Sequence, residues 1–467
     1  MSLPAIEYYL NMLTESLALE TQGRMDQYHQ QHKLFFGDRM MCTVLRPRFL
    51  SPDQYHFLQR RVRILLSAFH KIQAAALADA DFRAQFGLTP QEDELAMLDP
   101  GFHPFPTSRF DSFYVSNDEL RFTEYNSETP AGAAYNYSLS QMFLALPAFQ
   151  EFQRKFQVYP MPTHYGVMSS LLSAYQQWLG RKELPRIAIL DWKEVPTYSE
   201  FVLYQNLFQH HGLEVVIIDP RDVTYQGNRL ITNDGKPIDL IYKRVLITEL
   251  IERGGMEHPV IRAVRNRHVC MINPFRCKIL YKKASFAVLS DERNAHLLTA
   301  EELATVHEHI PWTRIVASRQ TATPKVRKAC PATVKVMATQ SEGKTVDLID
   351  FISKNKDALV LKPNDDYGGK GIVLGWTVDQ PTWDQAVQHA LTTPYIVQER
   401  VHLPKEPFPY IANGKLQTSD IMLDTNPFVC HGEYMDGCLS RISASDLLNV
   451  TAGTGSTVPT FIVEPRP

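Results

Sequence analysis

The sequence lacks the features that mark secreted, zinc-binding or membrane-spanning proteins. Its six cysteines include no Cys-x-x-Cys pair and no histidine at zinc-ligand spacing, so we expect reduced, buried thiols. No apolar run reaches the length that crosses a bilayer. The first twenty residues carry acidic side chains early and lack a basic region before an apolar core. These absences predict a cytoplasmic protein that does not associate with a membrane.

Charge of one sign is also scarce, because the formal net charge of the 467 residues is only -3. No block of lysine and arginine is dense enough to form a nucleic-acid footprint, so we expect no nucleic-acid partner. The apolar fraction of 44% and the charged fraction of 21% are typical of globular proteins. The chain is longer than one hydrophobic core usually serves, which predicts two to four packed units.

The hydrophobic pattern predicts a mixed α/β protein. Residues 6 to 98 have a mainly helical period, and Ser51, Pro52 and Asp53 form a good helix start. Mid-chain, apolar strands at 186–191 and 214–219 flank an amphipathic helix at 197–211, and another strand covers 239–245. This succession predicts a parallel α/β unit in the middle of the chain.

A glycine-rich loop follows an apolar strand that begins at Leu359. The loop contains Gly368, Gly369 and Gly371, and Lys362 precedes it. Glycines let backbone N–H groups approach an anion closely, and a nearby lysine supplies a positive charge, so the pattern indicates a polyphosphate site. It is not a Walker A motif, because Lys370 is followed by glycine rather than by Ser or Thr. A plain turn between two strands is the alternative.

A second polar segment lies near the front of the chain, on two strands with period-two patterning. Arg109 and Asp111 are two residues apart on the first strand, and Glu124 and Asn126 are two apart on the next. Each pair therefore shares one face of its strand. Two carboxylates and an amide oxygen suit Mg²⁺, and an arginine beside them can stabilise a transferring phosphoryl group. The alternative is an ordinary exposed hairpin with alternating charge.

Two basic residues end the last strand of the mid-chain unit. Lys243 and Arg244 stand where an open α/β sheet usually has its ligand crevice, which makes them candidate substrate contacts. A solvated strand end is an equal alternative.

Together these segments resemble the ATP-grasp ligases, and specifically the circularly permuted branch that includes glutathionylspermidine synthase. The resemblance covers most of the chain. It rests on Arg-x-Asp, Glu-x-Asn and Thr129-Pro130 at the front, KILYKKASFAVLSD, the loop LKPNDDYGGKGI, and the segment IVQERV. The metal-site residues precede the glycine loop here, which is the permuted order.

The resemblance implies a role for each matching residue. Asp111, Glu124 and Asn126 would bind Mg²⁺, with Arg109 as a catalytic residue facing the γ-phosphoryl group. Lys283 and Lys362 would contact the phosphates of ATP, under a lid formed by Gly368, Gly369 and Gly371. Gln398, Glu399 and Val401 would form the hinge that recognises adenine. Arg441, with the loop around Asn449 and Gly453, resembles the closing segment of the family and is a further candidate substrate contact.

Several of these residues have simpler interpretations. Lys282 or Lys283 could be a solvated helix residue, and motif position favours Lys283 as the ligand. Glu399 and Arg400 could form a surface ion pair, which contributes little stability.

The implied fold is α/β (α+β): a circularly permuted ATP-grasp core with an inserted Rossmann-like domain and an N-terminal helical segment. The implied divisions are N-terminal helices and metal-site strands in 1–155, the inserted domain in 156–272, the nucleotide-binding part in 273–402 and C-terminal strands in 403–467. The implied function is an ATP- and Mg²⁺-dependent ligase that joins a carboxylate to an amine through an acyl phosphate. An ATP-grasp kinase and a non-catalytic nucleotide-binding module are alternatives. The implied partners are ATP with small-molecule or peptide carboxylate and amine substrates, and a homodimer stays an open alternative.

Overall fold

The structure is a computed structural model that describes residues 3–102, 106–325, 327, 331–365, 368–443 and 455–467. Helices surround several sheets, so the mixed α/β class predicted from the sequence is confirmed. The helices are α1 Leu3–Met12, α2 Glu15–His32, α3 Pro52–Ala78, α4 Ala80–Ala84, α5 Pro90–Ala96, α6 Ala133–Ala145, α7 Pro147–Phe152, α8 Thr163–Leu179, α9 Tyr198–His210, α10 Ile247–Gly254, α11 Pro259–Arg265, α12 Lys278–Tyr281, α13 Ala284–Ser290, α14 Ala300–His309, α15 Ala332–Ser341, α16 Leu348–Lys354 and α17 Gln380–Ala390.

The strands are shorter and run through the whole chain. They are β1 Phe35–Phe36, β2 Arg39–Met40, β3 Arg48–Leu50, β4 Thr107–Ser116, β5 Glu119–Asn126, β6 Phe156–Pro160, β7 Ile187–Leu190, β8 Val215–Ile218, β9 Val223–Gln226, β10 Arg229–Thr232, β11 Leu240–Lys243, β12 Cys270–Ile272, β13 Thr313–Ile315, β14 Gln320–Ala322, β15 Thr345–Asp347, β16 Leu359–Pro363, β17 Val373–Leu374, β18 Tyr395–Glu399, β19 Lys405–Ala412, β20 Lys415–Leu423, β21 Asn426–Cys430, β22 Tyr434–Ser443 and β23 Ser456–Pro465.

The largest sheet joins the front of the chain to its C-terminal part. It has nine strands, with β19, β20, β22, β21, β4 and β5 in spatial order. Strand β23 adds to β22 and also pairs with β3 and β6. Strand β21 pairs with β4, with Phe428 opposite Arg109. The predicted metal-site hairpin therefore lies directly beside strands that come about 300 residues later in the chain.

Two smaller sheets carry the other predicted segments. The mid-chain unit is a parallel four-stranded sheet in the order β12, β11, β7, β8, which confirms the predicted parallel α/β pattern. The glycine loop belongs to an antiparallel sheet in the order β13, β18, β16, β17. Strands β16 and β17 pair antiparallel on either side of the loop, so the loop is also a turn between two strands.

Local sequence explains the longest helix. The Ser51 hydroxyl oxygen accepts a hydrogen bond from the N–H of Gln54, and the Gln54 side-chain oxygen accepts one from the N–H of Ser51. Pro52 occupies the first turn of the helix. This reciprocal capping satisfies backbone donors that a helix start leaves unpaired. The predicted helix start is therefore confirmed. The helical prediction for 6–98 is wrong for the three short strands β1, β2 and β3. Parallel pairing with β23 draws Arg48–Leu50 into a sheet.

A buried network of charges holds the parallel unit, the front helices and the glycine-loop strand together. Lys278 lies within 3.2 Å of Glu128 and 2.7 Å of Asp365. Lys243 lies 3.4 Å from the same Glu128, which is fully buried. Lys282 contacts Asp365 at 2.7 Å. Buried ions need such partners, because each loses several kcal/mol of hydration.

No helix in the described ranges combines the length and apolar character required to cross a membrane.

Replacing Glu128 by glutamine should lower the free energy of unfolding by about 3–5 kcal/mol, because buried Lys243 would lose its carboxylate partner and Lys278 would lose one of its own. Denaturant unfolding followed by circular dichroism measures this loss. The matched control is Glu183→Gln, which breaks an exposed pair with Arg181 and should change the free energy by at most about 0.5 kcal/mol. Equal effects from both substitutions would contradict the importance of the network.

Candidate active site

The two-stranded hairpin of β4 and β5 brings the four predicted metal-site residues together. Arg109 is registered opposite Asn126, and Asp111 is opposite Glu124. The side-chain amide of Asn126 donates to the Asp111 carboxylate at 3.0 Å. The alternation of side chains along each strand, seen in the sequence, therefore produces a compact polar cluster on one face.

Asp111 is the centre of this cluster. Its carboxylate accepts a hydrogen bond from Arg109 Nε at 2.8 Å and another from an Arg441 guanidinium nitrogen at 2.7 Å. Burial alone would raise the pKa of Asp111, but the two guanidinium groups lower it to about 2. Asp111 is therefore ionised throughout the physiological range.

Arg441 links the hairpin to the C-terminal strands. Its Nε donates to the Asp424 carboxylate at 2.6 Å while its terminal nitrogen holds Asp111. Burial raises the pKa of Asp424, with Arg441 acting in the opposite direction and Asp111 adding repulsion. The arrangement is a chain of alternating charges that joins β4 to β22.

Two lysines from outside the hairpin, Lys283 and Lys362, complete the cluster. Lys283, at the start of α13, lies 3.0 Å from Glu124. Lys362, on β16, donates to the side-chain oxygen of Gln398 at 2.7 Å. Desolvation lowers the pKa of Lys362 to about 8, and repulsion from Lys283 contributes, although Glu124 and Asp111 act against the shift. Lys362 therefore lies close to the carboxylates of the hairpin.

The two adjacent lysines, Lys282 and Lys283, contact different carboxylates. Lys282 is almost fully buried and contacts Asp365 in the structural network, whereas Lys283 faces Glu124. The alternative of a solvated helix residue is wrong for both, because 2% of Lys282 and 7% of Lys283 is exposed.

A cavity of about 1820 Å³ opens beside this cluster. Its lining includes Asp111, Glu124, Lys362, Asp424 and Arg441. Arg109, Asn126 and Lys283 are not among the lining residues, but each contacts a residue that is. Arg109 and Asn126 contact Asp111, and Lys283 contacts Glu124. Of the two arginines that bind Asp111, Arg441 lines the cavity and Arg109 does not.

The glycine loop forms another part of the wall. Gly368 and Gly369 line the cavity, and both have positive φ angles, 71° and 76°. Gly371 has a φ of 67° and lies outside the lining, against Pro363 and Tyr395. Residues with side chains rarely adopt this left-handed conformation, so glycine is required at these positions. The predicted loop thus lies at the cavity next to Lys362.

The predicted hinge also reaches the cavity, with Gln398, Glu399 and Val401 all in the lining. The Glu399 side chain is held by Arg327 at 2.5 and 2.7 Å, and its backbone N–H donates to Trp312. The alternative of an ion pair with Arg400 is wrong, because the Arg400 guanidinium stacks 4.1 Å from the Trp376 ring centre. Arg327 therefore holds the side chain of Glu399 within the predicted hinge.

Lys243 and Arg244 do not line the cavity. Lys243 is buried against Glu128 at 3.4 Å, and Arg244 is buried against Glu200 at 3.1 Å. Both side chains are committed to interior ion pairs, so their placement does not support the predicted substrate contacts, nor the alternative of a solvated strand end. The carboxylate partners come from other segments, which the strand pattern alone could not reveal.

Sequence reasoning missed Asp424, which lines the cavity and binds Arg441. A signal was present, because Asp424-x-Asn426 repeats the acid-x-Asn spacing of Glu124-x-Asn126. In both places the asparagine amide donates to a nearby aspartate, here at 2.7 Å. The predicted contacts Asn449 and Gly453 lie outside the described residues.

The protein side chains at the cavity supply only part of a Mg²⁺ coordination shell. Asp111 and Glu124 present carboxylates at the cavity, and Asn126 adds an amide beside Asp111. In the part of the chain that the structure describes, no group of three His, Cys, Asp or Glu residues could hold a metal. Mg²⁺ commonly takes one or two carboxylates and completes its shell with water and substrate phosphates. The residues fit a metal that arrives with a phosphate ligand.

The fold as a whole is similar to that of a solved glutathione synthetase-like effector from Globodera pallida. The TM-score is 0.55 at 11% sequence identity, and the match covers 96% of this chain and 98% of that chain. A protein described as a gamma-glutamylcysteine synthetase from Methylobacillus flagellatus matches with a TM-score of 0.42 at 11% identity, over 85% of each chain. D-alanyl-alanine synthetase A from Vibrio cholerae matches with a TM-score of 0.29 at 12% identity, over 58% of this chain and 73% of that chain. No protein-family model and no curated protein matches the sequence. The first likeness establishes a shared fold.

The ε-ammonium of Lys362 should lose its proton with a midpoint near pH 8, because its surroundings lower its pKa to about 8. The side chain is thus charged below that pH and neutral above it, so affinity for an anion at this position should fall as the pH rises through 8. NMR titration of ¹³C-labelled lysine measures the midpoint, and the Lys362→Arg variant identifies the signal. A midpoint at the ordinary lysine value of about 10.4 would contradict the desolvated environment.

Proposed function

We propose that the protein is an ATP- and Mg²⁺-dependent ligase that joins a carboxylate to an amine. The observation that carries this proposal is the meeting, at one cavity, of two hairpin carboxylates, a guanidinium group, a lysine and a left-handed glycine loop. These elements are Asp111 and Glu124, Arg441, Lys362, and Gly368–Gly369. Phosphoryl transfer needs this combination of positioning and charge neutralisation, and requires no protein nucleophile.

The charge balance of the cluster supports an anionic ligand. The cations are Arg109, Arg441, Lys283 and Lys362, and the carboxylates are Asp111, Glu124 and Asp424. Lys362 has a neutral partner, Gln398, so four cations face three carboxylates. The cluster therefore carries excess positive charge, which a triphosphate with its metal would offset.

Asp111 and Glu124 would hold the metal, with Asn126 fixing the Asp111 carboxylate. Bound Mg²⁺ would neutralise charge on the phosphate oxygens. Arg109 donates to the carbonyl of Ala131 at 2.7 Å as well as to Asp111, so we assign it to positioning Asp111. The family resemblance implies that Arg109 faces the γ-phosphoryl group. Because Arg441 lines the cavity and Arg109 does not, Arg441 would take this role.

In the proposed reaction the γ-phosphoryl group of ATP passes to an oxygen of the substrate carboxylate, giving an acyl phosphate and ADP. The substrate amine then attacks the acyl carbon, phosphate leaves, and the amine loses a proton as the amide forms. Lys362 and the glycine loop would hold the phosphates, and the hinge at Gln398–Val401 would contact the base. Gly371 and Lys283 would support the loop and Glu124, respectively.

The finer features of the resemblance also belong to this proposal. They are the circular permutation, the insertion of the parallel unit, the division into four segments, and a likeness to glutathionylspermidine synthase in activity. The metal-site hairpin precedes the glycine loop in the chain, which supports the permuted order. The shared fold with a protein described as glutathione synthetase-like is compatible with amino-acid or peptide substrates. Cytoplasmic location and a homodimer stay predictions.

Replacing Glu124 by glutamine should reduce ATP-dependent turnover by at least about a hundredfold, because one of the two metal-binding carboxylates at the cavity is lost. Affinity for ADP in the absence of Mg²⁺ should change little. A coupled assay for ADP release measures turnover, and calorimetry measures ADP binding. The control is Glu433→Gln at an exposed position, which should retain full activity. Full activity in the Glu124→Gln variant would contradict the proposed metal site.

Hydroxylamine should trap the acyl phosphate as a hydroxamate during ATP turnover with the acceptor acid. A screen of paired amino acids, peptides and polyamines with mass detection would first identify substrates that condense. ADP formation without a hydroxamate would favour a kinase that phosphorylates a hydroxyl group. ADP binding without turnover across the whole panel would favour a nucleotide-binding module.

A further inference from the structure

The wall of the cavity also contains residues that the proposed function does not use. These residues include Arg48, Tyr114, Asn117 and Glu406. Pockets for one drug-sized ligand usually enclose about 300–1,000 Å³. The volume of about 1820 Å³ therefore leaves room for a second ligand group beside a nucleotide.

Two buried arginines share one carboxylate in this wall. Arg46 lies 2.9 Å from Glu406, and Arg48 contacts the other oxygen of the same carboxylate. Arg46 is fully buried and 3% of Arg48 is exposed. Burial raises the pKa of Glu406, but Arg48 and Arg46 outweigh burial and lower it, so the carboxylate is ionised. Two guanidinium charges against one carboxylate leave one positive charge uncompensated.

The uncompensated positive charge of Arg46 and Arg48 is unfavourable because both side chains are buried. Burial lowers the pKa of Arg46, and repulsion from Arg48 adds to this effect while Glu406 opposes it. Arginine stays charged in proteins, so the cost appears as instability rather than as deprotonation. An anion placed next to the pair would remove this cost.

The two arginines differ in how completely they are bound. Arg46 donates to Glu406 and to the carbonyls of Pro47 and Pro407, and it stacks 4.2 Å from the ring centre of Phe408. It does not line the cavity. Arg48 lines the cavity, and its buried Nε has no hydrogen-bond partner among the described residues. Arg48 is thus the cation with unused bonding capacity.

Three other acids of the cavity wall do not balance the charge. Glu7, Asp53 and Asp118 also line the cavity, but all three residues are exposed. Exposed charges are screened and contribute little to a buried cation. Lys405 adds another positive charge to the same wall, at an exposed position.

We propose that Arg48 anchors a second anion subsite, which binds a carboxylate or phosphate group of a small ligand apart from the Lys362 and glycine-loop end. The group would neutralise the excess charge of the arginine pair and bond to Arg48, as charge-assisted hydrogen bonds favour. This subsite does not depend on ligase activity.

Calorimetric titration without nucleotide tests the subsite, with glutarate as the carboxylate probe and inorganic phosphate as the phosphate probe. Loss of one charged hydrogen-bonding partner in Arg48→Gln should weaken the bound probe by at least about tenfold. The Glu406→Gln variant should bind it at least about threefold more tightly, because a competing carboxylate is removed. Lys405→Gln is the control for general surface charge and should change the affinity by less than about twofold.

The two substitutions act in opposite directions, so a general loss of structure cannot imitate the expected result. Binding of glutarate alone would assign the subsite to a carboxylate, and binding of phosphate alone to a phosphate group. The proposal fails if neither probe binds, or if Arg48→Gln leaves the affinity unchanged. It also fails if Lys362→Gln, rather than Arg48→Gln, abolishes binding, because the anion would then occupy the glycine-loop end.

Discussion

The partly buried ion pair between Asp111 and Arg441 is the interaction on which the site depends. The two residues are 330 positions apart, and their side chains meet at 2.7 Å. Arg441 also binds Asp424, so one guanidinium group holds two carboxylates at the cavity wall. The pairing of β21 with β4 provides the frame for this contact. Asp111 itself is buried, so loss of Arg441 would leave its carboxylate with Arg109 as its remaining cationic partner, which is costly.

This constraint explains why an electrostatic site can exist in a protein of nearly neutral charge. The net charge of -3 excludes a broad basic surface, yet four cations and three carboxylates converge at one place. Because Lys362 and Asp111 lie in a partly desolvated setting, their charges act more strongly than the same charges in water. In the proposed function, affinity for a polyanion would come from this local concentration of charge rather than from the overall charge.

Sequence alone predicted the parts with local causes. The alternation of polar residues placed Asp111 and Glu124 on one face, and glycine spacing identified the left-handed loop, since both depend on neighbouring residues. Sequence-based prediction failed where the environment of a residue depends on a partner from a distant segment of the chain. Lys243 is indistinguishable from a ligand-binding strand end until Glu128 packs against it, and Arg48 joined a strand because of β23. Asp424 is the intermediate case, because its spacing to Asn426 was visible but its partner Arg441 was not.

The most direct test of a metal site completed by phosphate is Mn²⁺ binding followed by electron paramagnetic resonance, with and without a non-hydrolysable ATP analogue. The two hairpin carboxylates, Asp111 and Glu124, are too few for a tight site, so Mn²⁺ should bind weakly to the protein alone. With the analogue it should bind at least about tenfold more tightly than to protein or analogue separately. Equal Mn²⁺ affinity with and without the analogue would contradict a shared site for metal and nucleotide.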